Sequence, residues 1–163
     1  MKLNSAYLLL GANLGNPAQQ LHSALSEIEV QIGKIQERSS VYESAAWGLV
    51  DQPAFLNQVL RVDTTLSAIE LLRSCQHIET KLGRVRDIKW GARIIDIDIL
   101  YFNRDVIDEV DLSIPHPYIS ERNFTLIPLV EIAPNYIHPI LKQSNSELLE
   151  TCSDQSSVSQ PYE

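Results

Sequence analysis

The stretch from Gly83 to Phe102, GRVRDIKWGARIIDIDILYF, constrains this chain more than any other. Between Arg93 and Phe102 the apolar residues are mostly β-branched or aromatic, with Gly91 before and Asn103 after, which predicts a largely buried strand. Side chains alternate along a strand, so Asp96 and Asp98 share one face while Ile95, Ile97 and Ile99 share the other. Two carboxylates then stand side by side on a rigid element. Keeping both ionised near an apolar sheet costs several kcal/mol unless a counter-charge is present. A divalent cation with phosphate oxygens is one such counter-charge; ordinary ion pairs with Arg93 or Lys89 on a solvated face are the plainer alternative. The preceding loop favours the first, because Arg84, Arg86, Lys89 and Arg93 put four cations within ten residues of a chain whose formal net charge is −8. Guanidinium forks suit phosphate oxygens, so the stretch describes a polyphosphate site and phosphoryl-transfer chemistry.

At 163 residues the chain is long enough for one domain with a proper core. That domain is expected over 1–150, with 151–163 a polar, disordered tail. With 44% hydrophobic and 21% charged residues the chain reads as a soluble globular protein. Its acidic balance argues against nucleic acid or an acidic membrane surface as a partner. Cys75 falls on the apolar face of a predicted helix and Cys152 in the tail, so neither suggests a disulfide or zinc site. No apolar run approaches the length of a membrane span, and the start lacks a signal-like apolar segment, which together predict a cytoplasmic protein.

In chain order, Ala6 to Leu10 predicts a first strand, followed by the turn residues GANLGNP with Asn16 as N-cap and Pro17 at the first helical position. Leu21, Ala24, Leu25, Ile28 and Ile32 recur at helical spacing up to Gly33, the expected C-cap. A second strand is predicted over Ile35 to Glu43, and a third over Phe55 to Asp63, where Phe55, Asn57 and Val59 share a face. An aromatic and an amide so spaced can stack on and hydrogen-bond to a flat heteroaromatic ring, or be core and edge residues. Ser67 and Glu70 form a capping box for a helix with Leu71, Cys75, Ile78 and Leu82 on one face and Gln76 and Glu79 off it. Beyond the aspartate strand, Val106 to Ile114 reads as extended, Pro115-His116-Pro117 as a restrained loop, and Phe124 to Ile132 as a short helix interrupted by Pro128. Strand, helix, strand, strand, helix, strand is the split βαβ order of an α+β, ferredoxin-like βαββαβ sandwich, here with an added hairpin and C-terminal helices.

KWGARIIDIDIL closely resembles the signature of the 6-hydroxymethyl-7,8-dihydropterin pyrophosphokinase family, through Lys89, Gly91, Ala92, Arg93, Asp96, Ile97, Asp98, Ile99 and Leu100. The Gly11 to Gly15 opening and the Pro115, His116, Pro117, Arg122 pattern resemble it too. The resemblance implies a Mg-dependent diphosphotransferase that moves the β,γ-diphosphate of ATP to the hydroxymethyl group of 6-hydroxymethyl-7,8-dihydropterin, releasing AMP, in folate biosynthesis. It implies Asp96 and Asp98 as ligands of two Mg²⁺ ions, and Arg84 and Arg93 with them as catalytic residues. ATP would be held by Gln76, Glu79, Arg84, Arg86, Lys89, Trp90, Arg93, Ile99, Ser113, His116 and Arg122. The pterin would be held by Ser44, Ala45, Trp47, Phe55, Asn57, Asp96 and Phe124. A monomer acting on these small molecules is expected, with Arg84 to Ala92 closing over nucleotide as a lid. An RNA-binding sheet and a metal-dependent phosphohydrolase are the rival readings of the residues alone.

Overall fold

The computed structural model describes residues 2–44, 54–83 and 95–160. Its centre is β1 (Asn4–Ala12), whose run of buried residues from Ala6 onward reflects burial on both faces. Ala6, Leu8, Leu10 and Ala12 face one hydrophobic core, and Tyr7 and Leu9 the other. Strand β1 pairs antiparallel with β4 (Phe55–Thr64) on one side and β5 (Asp96–Phe102) on the other. The far edge of β4 is shared by β2 (Gly33–Arg38) and β3 (Tyr42–Ser44). The architecture is thus a mixed α/β fold on an antiparallel sheet.

Helices α1 (Pro17–Gln31) and α2 (Ala68–Gly83) cover the first face, where Ala24, Ile28, Leu71, Cys75 and Ile78 are fully buried. Each large aliphatic among them contributes roughly 1.5–3 kcal/mol of burial. The cap signals hold: the Asn16 side chain accepts from Gln19 N at 3.2 Å, and Ser67 and Glu70 exchange both capping-box bonds. The second face is covered by α3 (Asn123–Ile132) and α4 (Asn145–Glu150), which pack Leu126, Leu129 and Leu148 on Tyr7, Leu9, Val59 and Tyr101. A bulge between Tyr7 and Leu8 leaves Leu100 without a β1 partner, so Leu100 and Tyr101 both join the second core. A small hairpin of β6 (Ile107–Asp108) and β7 (Ser113–Ile114) follows β5.

Four expectations change. Gly33 is not a helix cap: Ile32 takes that place and Gly33 opens β2, where a Cβ would lie 1.9 Å from the Asp63 carbonyl oxygen. The strand expected over Ile35 to Glu43 is broken at Ser39–Val41, because the Ser39 hydroxyl takes the Val59 N–H at 2.9 Å and the Glu131 carboxylate takes the Ser40 N–H at 3.0 Å. Helix α3 continues through Pro128, held by the fully buried Leu126 and Leu129 on either side. The tail is laid on the protein as far as Gln160: β8 (Val158–Ser159) pairs with β3 at the sheet edge. Its polar residues find partners there, which composition does not reveal.

Beyond α3, the His138 Nδ1 accepts from Ile140 N at 3.2 Å and Leu141 N at 3.1 Å, and the ring packs edge-on to Tyr101. Burial holds this imidazole below its ordinary pKa of 6.5. The unfolded chain therefore takes up the proton first, so stability is complete above pH 6.5 and falls as the pH drops below it. His138→Asn keeps an acceptor at this place without titrating. Its denaturation midpoint should fall less between pH 7.5 and pH 5 than that of the native chain; equal losses would show that His138 does not govern this segment.

Candidate active site

Strand register builds the site. Gly11 of β1 lies between Asn57 of β4 and Asp96 of β5, and Leu9 lies between Val59 and Asp98. By alternation these side chains, with Phe55, point to the α3 side of the sheet. Helices α3 and α4 cover the Tyr7 end of that face, and a cleft of about 180 Å³ remains at the Gly11 end. Leu9, Gly11, Asp96 and Asp98 form its floor. Phe55, Asn57 and Ser44 line it from β4 and β3, and Arg122 and Phe124 from the start of α3.

Asn57 is buried, and its Nδ2 donates to the Ser44 Oγ at 2.7 Å. A Cβ at Gly11 would stand 3.3 Å from the Asn57 Oδ1 and 3.8 Å from the Phe55 ring. The missing side chain therefore lets the amide and the aromatic keep these positions. The Arg122 guanidinium lies 5.5 Å from the Phe124 ring centre and 4.8 Å from that of Tyr118, within range of cation–π attraction.

Strand β5 is the sheet edge opposite β8. The Ile97 N–H, between the two aspartates, donates to the Glu79 Oε2 of α2 at 2.8 Å. Glu79 thus serves the aspartate strand as a partner that no further strand among the described residues supplies there. His116, after the cis Ile114–Pro115 bond, donates its backbone N–H to Leu100 O at 2.9 Å. Its Nδ1 accepts from Tyr118 N at 3.1 Å, so the neutral ring carries its proton on Nε2. Burial holds this imidazole below its ordinary range; Asp98 works against that shift and Arg122 adds to it. Both cleft groups therefore lie close enough to act on His116.

Of the residues singled out from the sequence, Ser44, Phe55, Asn57, Asp96, Asp98, Arg122 and Phe124 line one cleft. Gln76 and Ser113 are exposed, and the Ile99 side chain packs into the core under α1 and α2. Ala45, Trp47, Arg84, Arg86, Lys89, Trp90 and Arg93, and with them the expected lid, lie outside the described residues. Leu9 and the role of Gly11 were missed, since only the register of three strands reveals them. Among the described residues no group of three or more His, Cys, Asp or Glu side chains could hold a metal. Two carboxylates alone fit a small hard cation that keeps waters or phosphate oxygens as its other ligands, which is the habit of Mg²⁺.

Residues 7–134 match the family described as 7,8-dihydro-6-hydroxymethylpterin-pyrophosphokinase (HPPK). The chain belongs to that family. It is 42% identical over 143 residues to the 2-amino-4-hydroxy-6-hydroxymethyldihydropteridine pyrophosphokinase of Aquifex aeolicus, covering 88% of this chain and 89% of that one. It is 43% identical over 138 residues to the folic acid synthesis protein FOL1 of Dictyostelium discoideum, of which it spans 21%. The fold matches the wild-type HPPK-DHPS of Plasmodium falciparum solved with pteroate, with a TM-score of 0.75 at 21% identity over 91% of this chain and 42% of that one. HPPK membership carries pyrophosphokinase activity in folate biosynthesis.

If Glu79 partners the strand edge, Glu79→Ala leaves the Ile97 amide without its acceptor. Exchange of that amide should speed at least tenfold, at a stability cost of about 1 kcal/mol. Unchanged exchange at Ile97 would show that the bond is not formed in solution.

Proposed function

We propose that the cleft holds 6-hydroxymethyl-7,8-dihydropterin against the aspartate pair while ATP lies along β5 and the start of α3. The observation that supports this most is the meeting, in one cleft, of a ring-binding set with a carboxylate pair. Phe55 and Phe124 offer ring faces, and Asn57, oriented by Ser44, offers an amide to the polar edge of the pterin. Asp96 stands next to this set through Gly11, so the hydroxymethyl group would point toward the carboxylates.

In the reaction the hydroxymethyl oxygen forms a bond to the β-phosphorus of ATP and gives up its proton. The bond between the β-phosphorus and the bridging oxygen of the α-phosphate breaks, and AMP leaves. Asp96 and Asp98 would hold two Mg²⁺ ions, which would supply positive charge to offset that of the transferred phosphates. Arg122 and the Nε2 proton of His116 are the described groups suited to bind phosphate oxygens. Arg84, Arg86, Lys89 and Arg93 are proposed to clamp the same chain of phosphates, with Arg84 and Arg93 acting on the transferred group, and Trp90 to cover the nucleotide. Gln76 and Ser113 would meet the nucleotide at the surface, and Ile99 through its backbone at the strand edge. Ala45 and Trp47 would complete the pterin wall beyond Ser44. The order β5-β1-β4-β2 with two helices on one face supports the ferredoxin-like reading of the fold. A cytoplasmic monomer is the accompanying proposal; no helix among the described residues is long and apolar enough to cross a membrane.

Incubation with ATP and Mg²⁺, with and without the pterin alcohol, tests this directly. AMP and the pterin diphosphate should form only when both substrates are present; phosphate release without pterin would mean a hydrolase instead. Asp96→Asn and Asp98→Asn should each reduce turnover at least a thousandfold while the fold is kept, since removing one of two neighbouring carboxylates relieves repulsion. Near-normal turnover in either variant at saturating Mg²⁺ would exclude the metal role.

Asn57→Ala removes a buried amide worth roughly 1–3 kcal/mol to a polar ring edge. By calorimetry it should weaken pterin binding about tenfold or more and leave ATP binding alone. A deficit on the ATP side would refute the assignment of the pocket.

A further inference from the structure

We infer that the tail from Asp154 to Gln160 is a strap that positions the walls of the cleft and so sets its affinity for the pterin. The inference rests on the proposed reading of Ser44 and Phe124 as pterin contacts. The tail lies beyond residues 7–134, which match the family.

Half-buried and exposed residues alternate along this segment, with Asp154, Ser156 and Val158 turned inward. An extended chain lying on a surface gives that pattern. Its far end pairs with β3, Val158 opposite Ser44 and Ser159 opposite Glu43. Gln160 Nε2 adds a bond to the Tyr42 hydroxyl at 3.3 Å. One wall of the cleft is thereby flanked on both sides, by β4 and by the tail.

Its near end holds the opposite wall. Helix α3 begins at Asn123, and its N-cap Arg122 makes no capping bond with its side chain. Asp154 supplies one from outside the helix: its Oδ2 accepts from Asn123 N at 3.1 Å, and its Oδ1 from Ser156 N at 2.9 Å. The Asn123 Nδ2 in turn donates to Ser156 O at 2.6 Å. A carboxylate at a helix N-terminus also complements the positive end of the helix dipole. Burial works against ionisation of Asp154, yet its bonds with Ser156 and with the Asn123 N–H prevail and hold its carboxyl below the usual range. The residues flanking Asn123 are Arg122 and Phe124, both of which line the cleft. One short segment thus ties the start of α3 to β3 across the site.

The test compares Asp154→Ala and a chain ending at Cys152 with the native chain and the exposed-site control Gln155→Ala. Steady-state kinetics with each substrate varied are joined to hydrogen exchange at 42–44 and 123–126. In both altered chains the KM for the pterin should rise about tenfold, kcat should stay within twofold, the KM for ATP should rise by no more than about threefold because Arg122 is only one of its proposed phosphate contacts, and exchange should quicken in both walls. Gln155→Ala should match the native chain. Unchanged exchange would overturn the strap and leave the pocket reading intact. Faster exchange with an unchanged pterin KM would overturn the inference through the pocket reading on which it rests. A joint fall of kcat and both affinities, tracking a lower denaturation midpoint, would mean general structural support and would also overturn it.

Discussion

The pairing of β1 with both β4 and β5 sets the geometry of the site. With Gly11 opposite both Asn57 and Asp96, an amide and a carboxylate are brought to either side of a residue without a side chain. A one-residue slip of either strand would turn its polar groups into the core under α1 and α2 and its aliphatics into the cleft. The buried rows Ala6, Leu8, Leu10 and Leu56, Leu60, Val62 oppose such a slip, because each aliphatic would lose roughly 1.5–3 kcal/mol on exposure. Packing on the face away from the site therefore enforces the register that makes it.

Electrostatics explain why the carboxylates stand at a sheet edge and on the floor of an open cleft. Asp96 and Asp98 are both half-buried, so full desolvation is avoided, while Ile97 and Ile99 anchor the same strand in the core. Two like charges so placed repel each other, a cost that the proposed metal ions would relieve. Glu79 adds a third carboxylate nearby, occupied with the Ile97 amide. Its bond gives the edge strand an outer partner without closing the edge to a ligand.

The two faces of the sheet divide the work. Helices α1 and α2 pack on one face and carry the capping signals legible in the sequence. The short α3 and α4 cover only part of the other, and the cleft lies beside them at the Gly11 end. Side chains from α3, β3 and the tail hold its walls: Glu131 accepts from Ser40 N and the Tyr42 hydroxyl, and Asp154 from Asn123 N. Polar groups at these seams fix orientation where apolar packing alone would allow sliding.

Alternation and composition by themselves determined the aspartate strand, the Phe55–Asn57 face and both capped helices, because each follows from local periodicity or a cap within four residues. They also sufficed for the family, through a motif contiguous in the chain. Only the tertiary structure decided that Gly11 lies between Asn57 and Asp96 and that Glu79 partners Ile97. It also decided that Gly33 opens a strand against Asp63, and that the polar tail lies along β3 and the start of α3. These depend on which distant segments meet, at separations of 18 residues for Glu79 and Ile97 and 31 for Asn123 and Asp154. Local preference carries no record of such pairings, since the free energy that selects them arises from burying the two cores together.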